Sequence, residues 1–351
     1  MKRVGHLMEK MMTEENFVLA ESLLGKNKPD NRMARHISAN ADKYGKALFN
    51  KVQNGEFQWH PPKETVILES YKGKERHLKI PCLEDQAVQL AWLNIATPYI
   101  LRRNYYFNCG SVPKAGQTRA VHVLQKWLKD PAMKYGASTD IRKFYESCPH
   151  RKIRKALCRI FKDREFVEFA MGFVASMSDT GVGIAIGYPV SHWLANLVLM
   201  ELDHAIVRLY PDVKFTRYMD DIAMASTNKR HIRKALYFIK NGVERLRMAL
   251  KRWSWFRIAK RGITFLSYRF FNGYTLLTKP LMVRIARRIR KAPQRICAHV
   301  AAGVISYLGI LKHCNSFNFR MKCVYPYIKV RVCNNLISLF TLKRNGMEAV
   351  A

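Results

Sequence analysis

No run of about 18 apolar residues, the length a membrane-crossing helix needs, occurs in this chain, so its 48% hydrophobic content is expected to fill globular cores. The start, MKRVGHLMEKMMTEENF, is charged and lacks the apolar centre of a secretory signal. Eight cysteines (Cys82, Cys109, Cys148, Cys158, Cys297, Cys314, Cys323 and Cys333) include no CxxC pair, which argues against a zinc site and for reduced thiols. These absences lead us to expect a cytoplasmic protein with no membrane partner. Internal repeats are also missing, which sets aside solenoids and propellers. Negative charge is the scarcest commodity: 26 Asp and Glu face 61 Lys and Arg, for a net charge of +35. A chain so basic repels itself unless its partner is a polyanion, and nucleic-acid backbone is the usual one. Its cations are interleaved with Tyr, Phe and Trp rather than gathered in a tail, which favours a folded, charged channel. At 351 residues it has room for two or three subdomains.

Scarce acids make paired ones conspicuous. In KFTRYMDDIAMAS, Lys214–Tyr218 and Ile222–Ala225 read as short strands with Asp220 and Asp221 at the turn between them. Adjacent carboxylates repel each other, and a bare Asp-Asp turn is ordinarily a solvated one. A divalent cation gives the pair a purpose, because Mg²⁺ favours hard oxygen ligands. Upstream, in KYGASTDIRKFYES, Asp140 ends a strand before a basic-aromatic turn. Two such strands side by side would form a cup for two metal ions about 4 Å apart, suited to in-line displacement at phosphorus. One ion would activate an attacking 3′-hydroxyl and the other would neutralise pyrophosphate, with the backbone carbonyl of Ile141 as an extra ligand.

Tyr218-Met219-Asp220-Asp221, preceded by Asp140 and its Phe144-Tyr145, resembles the palm of a reverse transcriptase. The resemblance implies an α+β right-hand polymerase fold with an antiparallel palm sheet. Residues 1–65 would be a helical N-terminal extension, 66–275 fingers and palm, and 276–351 a helical thumb and tail. Val66–Ser70 and Leu78–Pro81 read as strands joined by the basic turn Lys72–Arg76, like the fingers hairpin, so Arg76 and Lys74 would grip a triphosphate. Gln89 falls on a glutamine of the family, within a helix expected over Asp85–Ile95. Lys114, in a Gly- and Pro-rich loop, would touch template backbone. Tyr145 sits where the family places the ring that excludes a 2′-hydroxyl, which implies a preference for dNTPs. Lys229–Leu250 reads as a basic amphipathic helix with Lys251 at its exit, near the triphosphate. RGITFLSYRFFNGYTLLTK shows a hairpin around Asn272-Gly273 and resembles the primer grip, with Ser267 in place of the usual glycine and Tyr268 beside it. Tyr218 and Met219 would lie against the template and primer. Pro280–Lys291 and Val304–Ile328 read as thumb helices, and no RNase H acidic set or nuclease cluster follows.

GVGIAIGYPVSHWLANLVLM discriminates further. Most reverse transcriptases have Pro-Gln-Gly at this loop, whereas this chain has Ala185-Ile186-Gly187. Ile186, Gly187 and Ser191 resemble the I-G-x-x-x-S-Q pattern of diversity-generating retroelement enzymes, although His192 replaces the glutamine. That resemblance implies an enzyme copying a template RNA into error-prone cDNA with dNTPs and two Mg²⁺ ions (Mn²⁺ as substitute). It also implies a small basic accessory variability protein, in a bacterial or phage-infected cell. The competing readings are a retron, defence-associated or intron-derived reverse transcriptase and, from another class, an inactive RNA-binding scaffold.

Overall fold

Strands form where β-branched and aromatic residues concentrate, and helices where apolar residues recur at the 3.6 period. The computed structural model describes residues 2–26, 28, 30–69 and 74–344. Its strands are β1 (Lys63–Glu69), β2 (Lys74–Ile80), β3 (Tyr135–Arg142), β4 (Lys214–Tyr218), β5 (Asp221–Ser226), β6 (Ala249–Leu250), β7 (Trp255–Arg257), β8 (Ile263–Phe265), β9 (Tyr268–Phe271) and β10 (Tyr274–Leu277). The pairs β1–β2, β4–β5, β8–β9 and β9–β10 are antiparallel, as are β3–β6 and β3–β7. The largest sheet follows the order β4-β5-β3-β6. No helix among the described residues is long and apolar enough to cross a membrane.

The chain divides into two compact units. The first comprises Met1–Lys114, Asp140–Pro211 and Tyr237–Arg252. Its core gathers around Trp92, fully buried on the helix Leu83–Arg103. The indole stacks on Phe166 at 5.2 Å and donates to the Phe166 carbonyl at 3.1 Å, so its one polar atom is satisfied. Glu84 and Asp85 open this helix and Arg102 and Arg103 close it, the charge order that suits the helix dipole. A second long helix, Ser191–Leu209, buries Trp193, Leu194, Leu197 and Val198. The β1–β2 hairpin is longer than expected. Arg76 pairs with Ile67 inside β2 and Lys74 begins that strand, because the backbone ladder continues through charged residues. The intended turn, with Lys72, lies outside the described residues.

The second unit comprises Ala115–Thr139, Asp212–Leu236 and Trp253–Ala351. Here β4 and β5 form the hairpin read from the sequence, with Asp221 already in its strand. The three-stranded sheet β10-β9-β8 and the helices Lys279–Lys291, Ala298–Leu311 and Val330–Arg344 complete it. Two helical expectations are corrected. The helix starting at Lys229 ends at Arg245, because Arg247 adopts a left-handed φ of 62° and the chain then enters β6. Val304–Ile328 is not one helix: it breaks after Leu311, where the Asn315 side chain turns to accept the Thr275 N–H at 2.9 Å.

Candidate active site

The Asp-Asp turn is built from inside the second unit. Tyr218 pairs with Asp221, leaving Met219 and Asp220 as a two-residue loop. Met219 takes a left-handed φ of 54°, as tight hairpin loops require of their first residue. Beneath it lies Arg217, only 1% exposed, whose Nη1 donates to the Met219 carbonyl at 2.8 Å. The only sequence signal for this arginine is strand alternation, which puts it on the same face as the apolar Phe215. Asp221 is oriented by the backbone N–H of Leu266, which donates to Oδ2 at 3.0 Å. Leu266 and Ser267 form another tight turn between β8 and β9, at φ 50° and 69°. Ser267 thus holds a conformation that favours the glycine it replaces. Met219 and Tyr268 are buried. The Tyr268 hydroxyl donates to the Ile310 carbonyl at 3.0 Å, and burial pushes its pKa up to about 12.

Asp140 belongs to the first unit, one residue past the part of β3 that the second unit contains. It is clamped by Lys251: the Lys251 backbone N–H donates to the Asp140 carbonyl at 2.8 Å, and its ammonium reaches both carboxylate oxygens at 2.8 and 2.7 Å. Both side chains are partly exposed, so this pair contributes only a modest amount of stability. Partly exposed at the edge of its strand, the Asp140 carboxylate offers hard oxygen donors of the type Mg²⁺ takes. Ile141, fully buried, pairs with Leu250 in the same clamp.

A cavity of about 590 Å³ in the first unit is lined by Arg76, Lys143, Glu146, Ile184 and Ile186, among others. The loop 181–187 forms one wall and is fixed at both ends. On one side Gly183 N–H donates to the Cys148 carbonyl at 2.8 Å and Ile184 N–H to that of Tyr145 at 2.9 Å. On the other, the Ile186 carbonyl accepts from Lys79 N–H on β2 at 3.0 Å. Gly187 has φ +121°, and a Cβ there would sit 2.5 Å from the Lys79 carbonyl oxygen. Ser191, buried, donates its hydroxyl to the Ala185 carbonyl at 2.5 Å, closing the loop onto its helix. Burial lowers the pKa of His192, the next residue, to about 4.

The first unit therefore brings Arg76 and Ile186 to one cavity, with Gly187 and Ser191 shaping its wall and the Tyr145 backbone fixed beside it. Lys143 and Glu146 also line it, a consequence of the turn after Asp140 that spacing alone does not reveal. Lys114 is exposed, with a left-handed φ of 61°. Lys74 is placed as the first residue of β2, and its side chain lies outside the described features.

Residues 62–270 match the family model for reverse transcriptase (RNA-dependent DNA polymerase). Over 173 residues the chain is 26% identical to Protein YkfC of Escherichia coli (strain K12), covering 46% of this chain and 45% of that protein. It thus spans less than half the length of that curated relative. Among solved structures, apo telomerase from Candida tropicalis superposes with a TM-score of 0.51 at 11% identity, covering 85% of this chain and 65% of that one. Telomerase from Candida albicans with a TWJ fragment of telomeric RNA gives a TM-score of 0.47 at 9% identity, covering 83% and 63%. The first of these likenesses, with the antiparallel sheets, establishes an α+β fold of the polymerase type.

Proposed function

This chain belongs to the reverse transcriptase family, whose model matches well over half of its length, and from that premise we propose that it is an RNA-directed DNA polymerase of a diversity-generating retroelement. It would extend a primer with dNTPs along a template RNA, in company with a small basic accessory protein. Asp140, Asp220 and Asp221, with the Ile141 carbonyl, would hold two Mg²⁺ ions, whose chemistry would be to lower the pKa of the attacking 3′-hydroxyl and neutralise the leaving pyrophosphate. The rest is the work of the chain's own groups. Arg76 supplies bidentate donors for phosphate oxygens. Tyr145 excludes a 2′-hydroxyl by volume, its backbone set by the Ile184 N–H. Lys251, released from Asp140, supplies a proton to pyrophosphate. Tyr218, Met219, Tyr268 and Lys114 are proposed to guide template and primer.

One observation supports the retroelement reading above others: Ile186 stands on the wall of the cavity that Arg76 also lines, and its carbonyl is bonded to the Arg76 strand. An amide at that position could hydrogen-bond near the incoming nucleotide and brace the arginine, whereas an isoleucine fills similar volume without a donor. A hydrogen bond to a charged group is worth about 1.5–3 kcal/mol, and each 1.4 kcal/mol is about tenfold in discrimination. The enzyme should therefore misincorporate, with errors concentrated at template adenines on the strength of the family resemblance. Sequencing cDNA made by the wild type and by Ile186→Gln on one adenine-rich RNA tests this. We expect frequent wild-type errors and about tenfold fewer in the variant. Accurate wild-type copying, or identical error spectra, would overturn the subtype.

A further inference from the structure

We propose that His60, Cys82 and Asp85 form a zinc site that clasps the root of the β1–β2 hairpin. The three residues come from separate stretches. His60 lies just before β1, Cys82 just after β2, and Asp85 in the first turn of the helix Leu83–Arg103. His60 and Cys82 are 22 positions apart, with β1 and β2 both between them, so a metal held by both would tie the two ends of the hairpin together.

The geometry is close to that of a tetrahedral ion. His60 Nδ1 lies 3.5 Å from Cys82 Sγ and 2.8 Å from Asp85 Oδ1. One donor atom from each residue falls within 4.8 Å of the others. Zinc–sulfur and zinc–nitrogen bonds of about 2.3 and 2.0–2.1 Å at a tetrahedral angle give an S···N edge of about 3.6 Å and an N···O edge of about 3.3 Å. The sulfur–nitrogen spacing already matches, and the nitrogen–oxygen spacing needs to open by about half an ångström. The donors are a thiol, an imidazole and a carboxylate, the set zinc accepts and Mg²⁺ does not. Asp85 is fully buried, and its other oxygen accepts the His60 backbone N–H at 3.1 Å, which holds the carboxylate in orientation.

Helix capping alone explains this cluster poorly. Cys82 is the N-cap of its helix, its sulfur accepting the Asp85 N–H at 3.4 Å. A cap needs only a good acceptor, which Ser, Thr, Asn or Asp provides, whereas a thiol is a weak one. The buried Asp85 carboxylate keeps Oδ1 turned to the His60 ring, where a zinc ion would add its positive charge to that of the helix N-terminus. The absence of CxxC pairs argued against zinc in the sequence; the fold instead assembles a site from H-x₂₁-C-x₂-D. The clasp would steady β2, and with it Arg76 and the Lys79 N–H that holds the Ile186 loop.

The test uses the full chain, stripped of metal by chelator, exposed to Zn²⁺ or Co²⁺ with Mg²⁺ in excess, and passed through gel filtration. The site predicts retention of zinc in a 1:1 ratio and a raised Tm. It also predicts a near-ultraviolet thiolate-to-cobalt absorption band, lost in Cys82→Ser and kept in Cys158→Ser. Wild type that retains no zinc, or Cys82→Ser with an unchanged cobalt band, would overturn the proposal. A second measurement does not depend on the variant folding: Zn²⁺ should protect Cys82 of the wild type from alkylation severalfold while the exposed Cys158 reacts as before. Equal labelling of Cys82 with and without zinc would equally overturn it. Neither readout depends on polymerisation.

Discussion

His192 illustrates how one residue sets a pH limit. It sits at the start of the helix that carries the Ile186 loop's anchor, Ser191, with its ring 5.4 Å from that of Trp193. Burial drops its pKa from 6.5 to about 4. Between those values the unfolded chain binds a proton that the native chain refuses, so stability falls as pH drops through that window and is unaffected above it. At pH 5 the loss amounts to about 2 kcal/mol. His192→Gln should therefore lose less Tm than wild type between pH 7 and pH 5, while differing little at pH 7. Parallel pH profiles would show that the ring protonates without penalty. The sequence revealed that a histidine stood in a glutamine's place. It could not reveal the burial, which depends on what the rest of the first unit packs around it.

At the scale of elements, the loop 181–187 and strand β2 depend on each other. A side chain at Gly187 meets the Lys79 carbonyl oxygen at 2.5 Å and must also adopt φ +121°. The backbone conformation alone costs a non-glycine residue on the order of 1–3 kcal/mol. Gly181, at φ +69° but with open space around its Cβ position, serves as a steric control. We expect Gly187→Ala to raise KM for dNTPs severalfold by displacing β2 and Arg76, and Gly181→Ala to lower Tm slightly at unchanged KM. Equal KM in both variants would mean that the loop and strand act independently. This coupling was hidden in the sequence because it rests on a backbone bond between positions more than a hundred residues apart. The β4–β5 hairpin was legible for the opposite reason: its pairing is local and its strand and turn residues are contiguous. The hairpin β1–β2 was legible in kind but not in extent, since backbone pairing continues through Lys and Glu that look like turn residues.

For the molecule as a whole, charge dominates. A net +35 is spread over both units, and in the second a cavity of about 550 Å³ has Arg287, Arg288, Lys291 and His299 on its lining with Val300 and Val304 between them. If these cations meet phosphates, RNA affinity should fall steeply with salt. Six to ten phosphate contacts would cost about 10³–10⁵ in affinity between roughly 50 and 200 mM salt. A flat response in a filter-binding titration would assign the charge to another partner. Composition made this feature legible at once, but the gathering of Arg287, Arg288, Lys291 and His299 around one cavity required the fold.

We propose that the Asp220-Asp221 turn, buttressed by Arg217 and tied to Leu266, belongs to a polymerase centre. Asp220→Asn removes a proposed metal ligand and almost none of the basic surface. The direct measurement is dNTP incorporation on a primed RNA template by wild type and this variant, with RNA affinity measured on the same preparations. We predict a loss of incorporation of at least about 10³-fold, corresponding to about 4 kcal/mol of barrier, at RNA affinity within about twofold. Substantial incorporation by Asp220→Asn would show that this turn does not hold the catalytic metal.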